Sequence, residues 1–176
     1  MSRPTLLVYC GLPGVGKSMA SAYTADRYPA TRYRSDAVRK ELFPDPDYTS
    51  AESDATYAEL LERARTDLES GTDVVLDATF RRKTRREQAM AVADEADVDI
   101  RFVHVICSLE VVRERLEKRT ETISDAEFDQ HLQLRESFDP IERDHVVIDN
   151  SGTIEETHAQ LDRQVLSSAV RERSTR

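Results

Sequence analysis

The sequence predicts an α/β fold, in which a five-stranded parallel sheet carries helices on both of its faces. Short, mostly apolar segments alternate five times along the chain with longer segments of helical character. The short segments are apolar at successive positions, as in strands that are buried between two layers of helices. With 176 residues, the chain is expected to form a single domain over residues 1–176 with one large core.

The first strand is predicted at residues 5–10, where the sequence is apolar and rich in β-strand formers. A helix follows at about 17–27. It ends at Tyr28-Pro29, because proline cannot continue a helix. Residues 31–34 alternate in polarity and predict a short second strand.

Two helices are predicted between the second and third strands. The first covers residues 37–42, with Ser35 or Asp36 as its cap, and the prolines that follow end it. The second covers residues 50–70, because apolar residues recur there at helical spacing and Gly71 follows as a stop signal.

The third strand is predicted at residues 73–77 and the fourth at 100–106, since both segments are short and apolar. The helix between them, at 81–96, begins with five basic residues and ends with acidic ones. This order opposes the helix dipole, which favours cations at the C-terminus, so the cluster is either functional or a solvated helix face. A further helix is predicted at 109–119.

The last part of the chain begins with a polar segment at 120–137, which includes a helix that continues through Phe138. The fifth strand is predicted at 145–149, and a final helix at roughly 153–171. The residues after this helix are expected to be frayed.

Composition limits the class of protein. Apolar residues make up 39% of the chain and charged residues 34%, and the formal net charge is −9. No apolar run approaches a membrane span and the N-terminus has no signal-peptide core, so we expect a soluble, cytoplasmic protein without a membrane partner. The negative charge argues against a broad, non-specific grip on nucleic acid.

The strongest functional signal lies at residues 11–18, Gly-Leu-Pro-Gly-Val-Gly-Lys-Ser. This segment matches the phosphate-binding pattern G-x-x-x-x-G-K-[ST], and it lies between a predicted strand and a predicted helix. Glycines allow backbone N–H groups to close around an anion, and the helix N-terminus adds positive charge. Lys17 is expected to reach the outer phosphates and Ser18 to ligate Mg²⁺. The sequence therefore predicts a nucleoside triphosphate site.

Two aspartates follow predicted strands, at the edge of a parallel sheet where ligands gather. Asp36 is a candidate general base for an acceptor hydroxyl. Arg39, one helical turn later, is a candidate partner for an anionic part of the acceptor or for the Asp36 carboxylate. Asp77 is a candidate to hold Mg²⁺ through water or to orient the acceptor. Each aspartate has an alternative interpretation as a helix cap or a turn former.

Arg115 and Arg119 are spaced four residues apart on one predicted helix, which leads into the polar segment 120–137. Two arginines at the entrance to such a segment are typical of a closing lid that stabilises transferred charge and excludes water. Ordinary surface ion pairing is the alternative interpretation.

Taken together, these motifs resemble the small P-loop kinases of the nucleoside-monophosphate-kinase superfamily. The group most similar includes polynucleotide 5′-kinase domains and zeta-toxin-like and gluconate-kinase-like proteins. The resemblance rests on GLPGVGKS (11–18), SDAVRKEL (35–42), VVLDATF (74–80), the pair Arg115 and Arg119, and SDA (124–126). It implies a three-layer P-loop NTPase fold with strand order 2-3-1-4-5 and a short helical lid at about 120–137.

The resemblance also implies roles for individual residues. Asp36 corresponds to the general base and Arg39 to the substrate-side arginine of the D-x-x-R motif. The catalytic set that it implies is Lys17, Asp36, Arg39, Asp77, Arg115 and Arg119, and the implied metal ligands are Ser18 and Asp77. The implied nucleotide contacts are Gly11, Leu12, Pro13, Gly14, Val15, Gly16, Lys17, Ser18, Met19, Arg115, Ser151 and Gly152.

The expected function is ATP- and Mg²⁺-dependent transfer of a phosphoryl group to a hydroxyl of a small molecule. One alternative is a polynucleotide 5′-hydroxyl kinase, in which the basic cluster at 81–86 guides the nucleic acid. Another is a nucleotide-dependent switch or ATP hydrolase. No obligate protein partner is evident from the sequence.

Overall fold

The computed structural model of the chain describes residues 3–119 and 125–167. Within them, five strands alternate with seven α-helices. The strands are β1 (Thr5–Cys10), β2 (Ala30–Arg34), β3 (Asp73–Asp77), β4 (Asp99–Ile106) and β5 (Val146–Asp149). The helices are α1 (Lys17–Arg27), α2 (Ser35–Leu42), α3 (Ser50–Glu69), α4 (Lys83–Glu95), α5 (Leu109–Arg119), α6 (Asp125–Glu136) and α7 (Ile154–Leu161), which continues into a π-helical turn, Asp162–Leu166.

The five strands form one parallel sheet in the order β2-β3-β1-β4-β5. The predicted α/β architecture and strand order are therefore confirmed. β1 is the central strand, and its residue Val8 is paired with Leu76 on one side and with Phe102 on the other. The segment after β1 consequently begins between the carboxyl ends of β3 and β4.

Helices cover both faces of the sheet and create two cores. Successive side chains of β1 point to opposite faces, so Leu6 and Val8 enter one core while Leu7 and Tyr9 enter the other. The first core is completed by α3 and α4, and the second by α1, α5 and α7. All residues of β1 from Leu6 to Cys10 are fully buried. Such a strand forms a rigid support for the loop that follows it.

One predicted cap is wrong. α2 begins at Ser35 rather than at Ala37, and its N-cap residue is Arg34, which has an extended backbone and makes no side-chain cap hydrogen bond. The chain passes from β2 into α2 without a connecting loop, so neither Ser35 nor Asp36 is available as a cap. Asp36 lies in the first turn of α2, where the helix dipole stabilises its negative charge.

α4 also begins later than predicted, at Lys83 rather than at residue 81. Phe80 has a positive φ of 43°, which breaks the chain direction before the helix. The carboxylate of Asp139 accepts a hydrogen bond of 2.8 Å from the Lys83 amide, and the Asp139 amide donates to the Arg81 carbonyl over 3.0 Å. A distant segment therefore determines where α4 starts.

Other boundaries differ from the predictions by a few residues. α6 ends at Glu136 rather than at Phe138, whose ring instead stacks on His104 with the ring centroids 5.0 Å apart. Residues 120–124 of the predicted lid and the predicted continuation of the last helix to residue 171 lie outside the described residues. Among the helices that the structure describes, none is both long and apolar enough to cross a membrane.

His104 should make the stability of the fold sensitive to acid. Burial, helped by the nearby His145 and Arg86, lowers the pKa of His104 from 6.5 to about 4. As the pH falls below 6.5, the unfolded chain therefore takes up a proton that the folded chain does not, and the free energy of unfolding declines until the pH reaches about 4. We expect the urea midpoint to fall across this range, and to fall less in His104→Gln. An equal fall in both proteins would contradict this assignment.

Candidate active site

The loop between β1 and α1 has a backbone that only glycine accommodates at two positions. Gly16 has a φ of 91°, in the left-handed region that other residues rarely adopt. A Cβ on Gly11 would lie 2.6 Å from the carbonyl oxygen of Val105 in β4. The Gly11 amide also donates to the Thr79 carbonyl over 3.1 Å. The loop is thus held between the ends of β3 and β4.

A cleft of about 510 Å³ opens beside this loop. Eight of the predicted site residues line it: the loop residues Pro13, Gly14 and Gly16, Met19 of α1, and four side chains with phosphoryl-transfer chemistry that come from separate parts of the chain. These four are Lys17 and Ser18 from α1, Asp36 from α2 and Arg119 from the end of α5. Arg34 and Thr79, which were not predicted as site residues, also line this cleft.

A second cavity, of about 310 Å³, lies behind the loop. Its lining includes Leu12, Val15 and the side chains of His131 and Phe138, and none of the described residues that line it carries a carboxylate. His131 is buried, and its Nδ1 lies 2.9 Å from the Pro13 carbonyl oxygen. This cavity lacks the lysine and the carboxylate that phosphoryl transfer requires, so we place the candidate active site in the first cleft.

Lys17 has a poorly solvated ammonium group. Burial lowers the pKa of Lys17, while the nearby carboxylates of Asp77 and Asp36 oppose this shift. Its Nζ donates one long hydrogen bond, of 3.4 Å, to the Leu12 carbonyl. A partly buried cation in such surroundings gains much from an anionic ligand, as expected for a phosphate-binding lysine.

Ser18 and Asp77 are close neighbours, linked by other polar side chains. The Ser18 hydroxyl accepts a hydrogen bond of 3.1 Å from Arg34. The buried Asp77 carboxylate accepts hydrogen bonds of 2.7 Å from the Ser21 hydroxyl and 3.4 Å from the Arg32 guanidinium. It also lies 3.9 Å from the Arg34 guanidinium. Asp77 is therefore fixed behind Ser18 rather than exposed in the cleft. Its metal role and that of Ser18 stay predictions.

Arg39 is not among the residues that line the cleft. Its guanidinium donates a hydrogen bond of 3.2 Å to the Ser53 hydroxyl and lies 3.7 Å from the Glu52 carboxylate, both in α3. It also packs over the ring of Tyr48. These contacts tie α2 to the start of α3. The predicted contact of Arg39 with the acceptor stays a prediction.

The structure separates the two lid arginines. Arg119 lines the cleft, whereas Arg115 points to the loop after β5 and donates 2.7 Å to the Asn150 carbonyl. The predicted nucleotide contacts Ser151 and Gly152 belong to that same loop, and the Ser151 hydroxyl accepts 2.8 Å from the Ser108 amide. The phosphate loop therefore lies between a cleft on one side and the loop after β5 on the other.

Several polar residues of the site, among them Arg34, Thr79 and Asn150, were not predicted as site residues. Arg34 ends β2 immediately before Ser35 and Asp36, so the strand-end position that identified Asp36 could have identified Arg34 as well. Asn150 follows β5 and its side-chain amide donates 2.8 Å to the Val15 carbonyl of the phosphate loop. This contact joins residues that are distant in sequence, and no local pattern predicts it.

The basic cluster at 81–86 is engaged in contacts within the protein. Arg86 is only 4% exposed and donates to four backbone carbonyls, those of Phe80, Arg81, Asp139 and Pro140. Three neighbours are paired as well: Arg81 with Ser137, Lys83 with Glu142 and Arg85 with Asp54. These contacts fasten α4 to segment 137–142 and to α3, which explains a charge order that opposes the helix dipole.

Solved structures share this fold over nearly the whole chain. The gluconokinase from Sinorhizobium meliloti 1021 is 22% identical with a TM-score of 0.68, and the match covers 97% of this chain and 99% of that one. The APS kinase CysC of Mycobacterium tuberculosis, in complex with AMPPNP and APS, is 16% identical with a TM-score of 0.71, over 92% and 97% of the two chains. At these identities the similarity concerns the fold.

A third structure, of the Pnkp1/Rnl/Hen1 RNA repair complex, is 23% identical with a TM-score of 0.62 and matches 79% of this chain and 47% of that one. No curated protein matches the sequence significantly. A family described as an AAA domain matches residues 6–141, from β1 to beyond α6. The chain therefore belongs to this AAA domain family and has the fold of the P-loop kinases, as the resemblance of its motifs predicted.

Proposed function

We propose that the protein is an ATP- and Mg²⁺-dependent kinase that transfers the γ-phosphoryl group to a hydroxyl of a small molecule. The observation that carries this proposal is the convergence of Lys17, Ser18, Asp36 and Arg119 in one cleft beside the phosphate loop. A lysine, a hydroxyl, a carboxylate and an arginine are the parts that phosphoryl transfer uses for phosphate binding, metal ligation, acceptor activation and charge stabilisation.

On the nucleotide side, the loop amides and Lys17 bind the phosphates. Ser18 would ligate Mg²⁺, and Asp77 would orient the water ligands of the metal. This donor set suits Mg²⁺, which binds few protein ligands and retains phosphate oxygens and waters. When bound, Mg²⁺ neutralises charge on the β- and γ-phosphates.

On the acceptor side, Asp36 accepts the proton of the attacking hydroxyl. The acceptor oxygen forms a bond to the γ-phosphorus while the bond from that phosphorus to the β,γ-bridging oxygen breaks, and ADP leaves. Arg119 stabilises the charge on the migrating group. Arg34 and Thr79, which share the wall of the cleft, then contact the acceptor.

The polynucleotide 5′-hydroxyl kinase is the second candidate, because an RNA repair complex shares the fold. Two observations favour the small molecule. Most of the basic side chains at 81–86 are occupied by protein contacts, and the chain carries a net charge of −9. A nucleic-acid substrate requires an exposed basic path for its phosphates.

The test is transfer of labelled γ-phosphate from ATP in the presence of Mg²⁺ to two acceptor pools. One pool contains sugars, nucleosides and aminoglycosides, and the other contains 5′-hydroxyl DNA and RNA oligonucleotides. We expect label in the small-molecule pool. Label only on oligonucleotides would establish the polynucleotide kinase instead. Release of free phosphate at a rate that neither pool changes would establish a hydrolase or switch.

Arg119→Gln provides a further prediction, with Arg113→Gln as its matched control. Loss of a cation over the migrating phosphoryl group should lower kcat by about 10²-fold. Arg113 lies on the same helix but pairs with Glu117 over 3.4 Å, and we expect its substitution to leave kcat unchanged. Equal kcat values for both variants would remove Arg119 from the proposed site.

A further inference from the structure

Asn150 joins the phosphate loop to β4, α5 and α7 through all of its polar groups. Its side-chain Nδ2 donates 2.8 Å to the Val15 carbonyl, and its Oδ1 accepts 2.7 Å from the Thr157 hydroxyl. Its backbone amide donates 2.8 Å to the Ile106 carbonyl at the end of β4. Its backbone carbonyl accepts 2.7 Å from Arg115. The residue is 3% exposed.

The side chain of Asn150 packs tightly against the phosphate loop. A Cβ on Gly16 would overlap Nδ2 of Asn150, so the amide lies directly against the backbone of Gly16. Thr157 orients this amide: because its hydroxyl donates to Oδ1, the nitrogen of the amide must face Val15. The amide therefore determines the position of the Val15 carbonyl and, with it, the peptide plane that carries the Gly16 N–H.

The environment of this amide makes it sensitive to ligand binding. Val15 and Gly16 belong to the phosphate loop, and Arg115 belongs to the helix that ends in Arg119. Asn150 therefore contacts both the phosphate loop and helix α5. A ligand that changes the position of either element changes the hydrogen bonds of Asn150.

We infer that Asn150 is a positioning residue that holds the phosphate loop in its nucleotide-binding shape and couples this loop to Arg115. This inference rests on the proposed function, because it assumes that the phosphate loop binds ATP. The proposed function does not require this role, in which a residue outside the phosphate loop fixes the geometry of that loop. The residue acts through Val15 and Gly16 and does not contact the reacting atoms.

The chain offers an unusually direct test, since Asn150 is its only asparagine. Protein labelled with asparagine that carries ¹⁵N only in the side chain should give a single side-chain ¹⁵N signal in NMR spectra. We expect this signal to shift when AMPPNP and Mg²⁺ are added. Binding of AMPPNP, measured by calorimetry, without any shift of the signal would overturn the inference.

Kinetics of variants provide a second test. Asn150→Asp keeps the shape of the side chain but replaces the donor to Val15 with a carboxylate oxygen, and we expect KM for ATP to rise at least about tenfold. Thr157→Val leaves Asn150 in place but frees its amide to rotate, so a smaller rise is expected. The KM for the acceptor should stay unchanged in both variants.

Thr24→Val is the control for a merely structural effect. Thr24 is buried in α1 and bonds the Tyr9 hydroxyl, so its substitution should lower stability without changing KM for ATP. If both Asn150→Asp and Thr157→Val lower Tm but leave KM for ATP at the control value, Asn150 is structural and the inference fails. If wild-type protein does not bind AMPPNP at all, the proposed function fails and this inference fails with it.

Discussion

Asp36→Asn is expected to reduce phosphoryl transfer by about 10³-fold while ATP affinity changes by less than about threefold. The substitution preserves size and removes only the ability to accept a proton. Asp36 lines the cleft from the first turn of α2, opposite the phosphate loop, so its carboxylate is available to an acceptor hydroxyl. Single-turnover transfer to the identified acceptor and calorimetric binding of AMPPNP measure the two quantities separately.

Asp26→Asn is the matched control for this substitution. Asp26 is exposed near the end of α1 and does not line the cleft, and its replacement by asparagine removes the same charge. The transfer rate of this variant should therefore equal that of the wild type. Normal turnover in Asp36→Asn would show that another group accepts the proton. A parallel loss of AMPPNP affinity would instead assign Asp36 to nucleotide binding.

Lys17→Met is expected to abolish detectable transfer and to weaken ATP binding by about 10²-fold or more. Lys17 lines the cleft beside the phosphate loop, and the carboxylates of Asp77 and Asp36 are near enough to favour its charged form. Methionine is similar in length to lysine but uncharged. The substitution therefore removes the electrostatic attraction to the phosphates and retains most of the packing. Lys40→Met, at an exposed position in α2, removes an equal charge and should bind ATP normally.

The charge of Lys17 also predicts the pH dependence of ATP binding. Burial lowers the pKa of Lys17 below its ordinary value of 10.5, so the ammonium loses its proton at a lower pH than an exposed lysine does. ATP affinity should therefore fall as the pH rises through this lowered pKa. Lys17→Met should lack this part of the pH dependence, and an identical pH profile in both proteins would contradict the assignment.

Local signals identified the elements that position the site. The fixed positions of residues 11–18 predicted the phosphate loop, and four apolar segments and one segment of alternating polarity predicted the five strands to within a residue or two at each end. These features are local because strands that are buried on both faces need continuous apolar sequence, and because left-handed backbone needs glycine. The strand order came from the resemblance to P-loop kinases and not from the residues alone.

Contacts between distant segments determined what the sequence could not. Arg115 and Arg119 share a helix and a spacing of four, yet one faces the loop after β5 and the other faces the cleft. Arg39 was singled out by its spacing from Asp36, and that spacing did not predict its contacts with Glu52 and Ser53 in α3. A spacing places a side chain on a helix face, and the packing of neighbouring elements decides which group that side chain meets.

By itself, the sequence determined that this protein has a buried parallel sheet with a phosphate-binding loop after its first strand. Both properties follow from local requirements on side-chain polarity and backbone conformation. Only the tertiary structure decided which charged residues share the cleft with Lys17, and that Asn150 forms a hydrogen bond with the loop. Those arrangements depend on hydrogen bonds and packing between segments that are far apart in the chain. Such contacts stabilise the site only when the whole fold has formed.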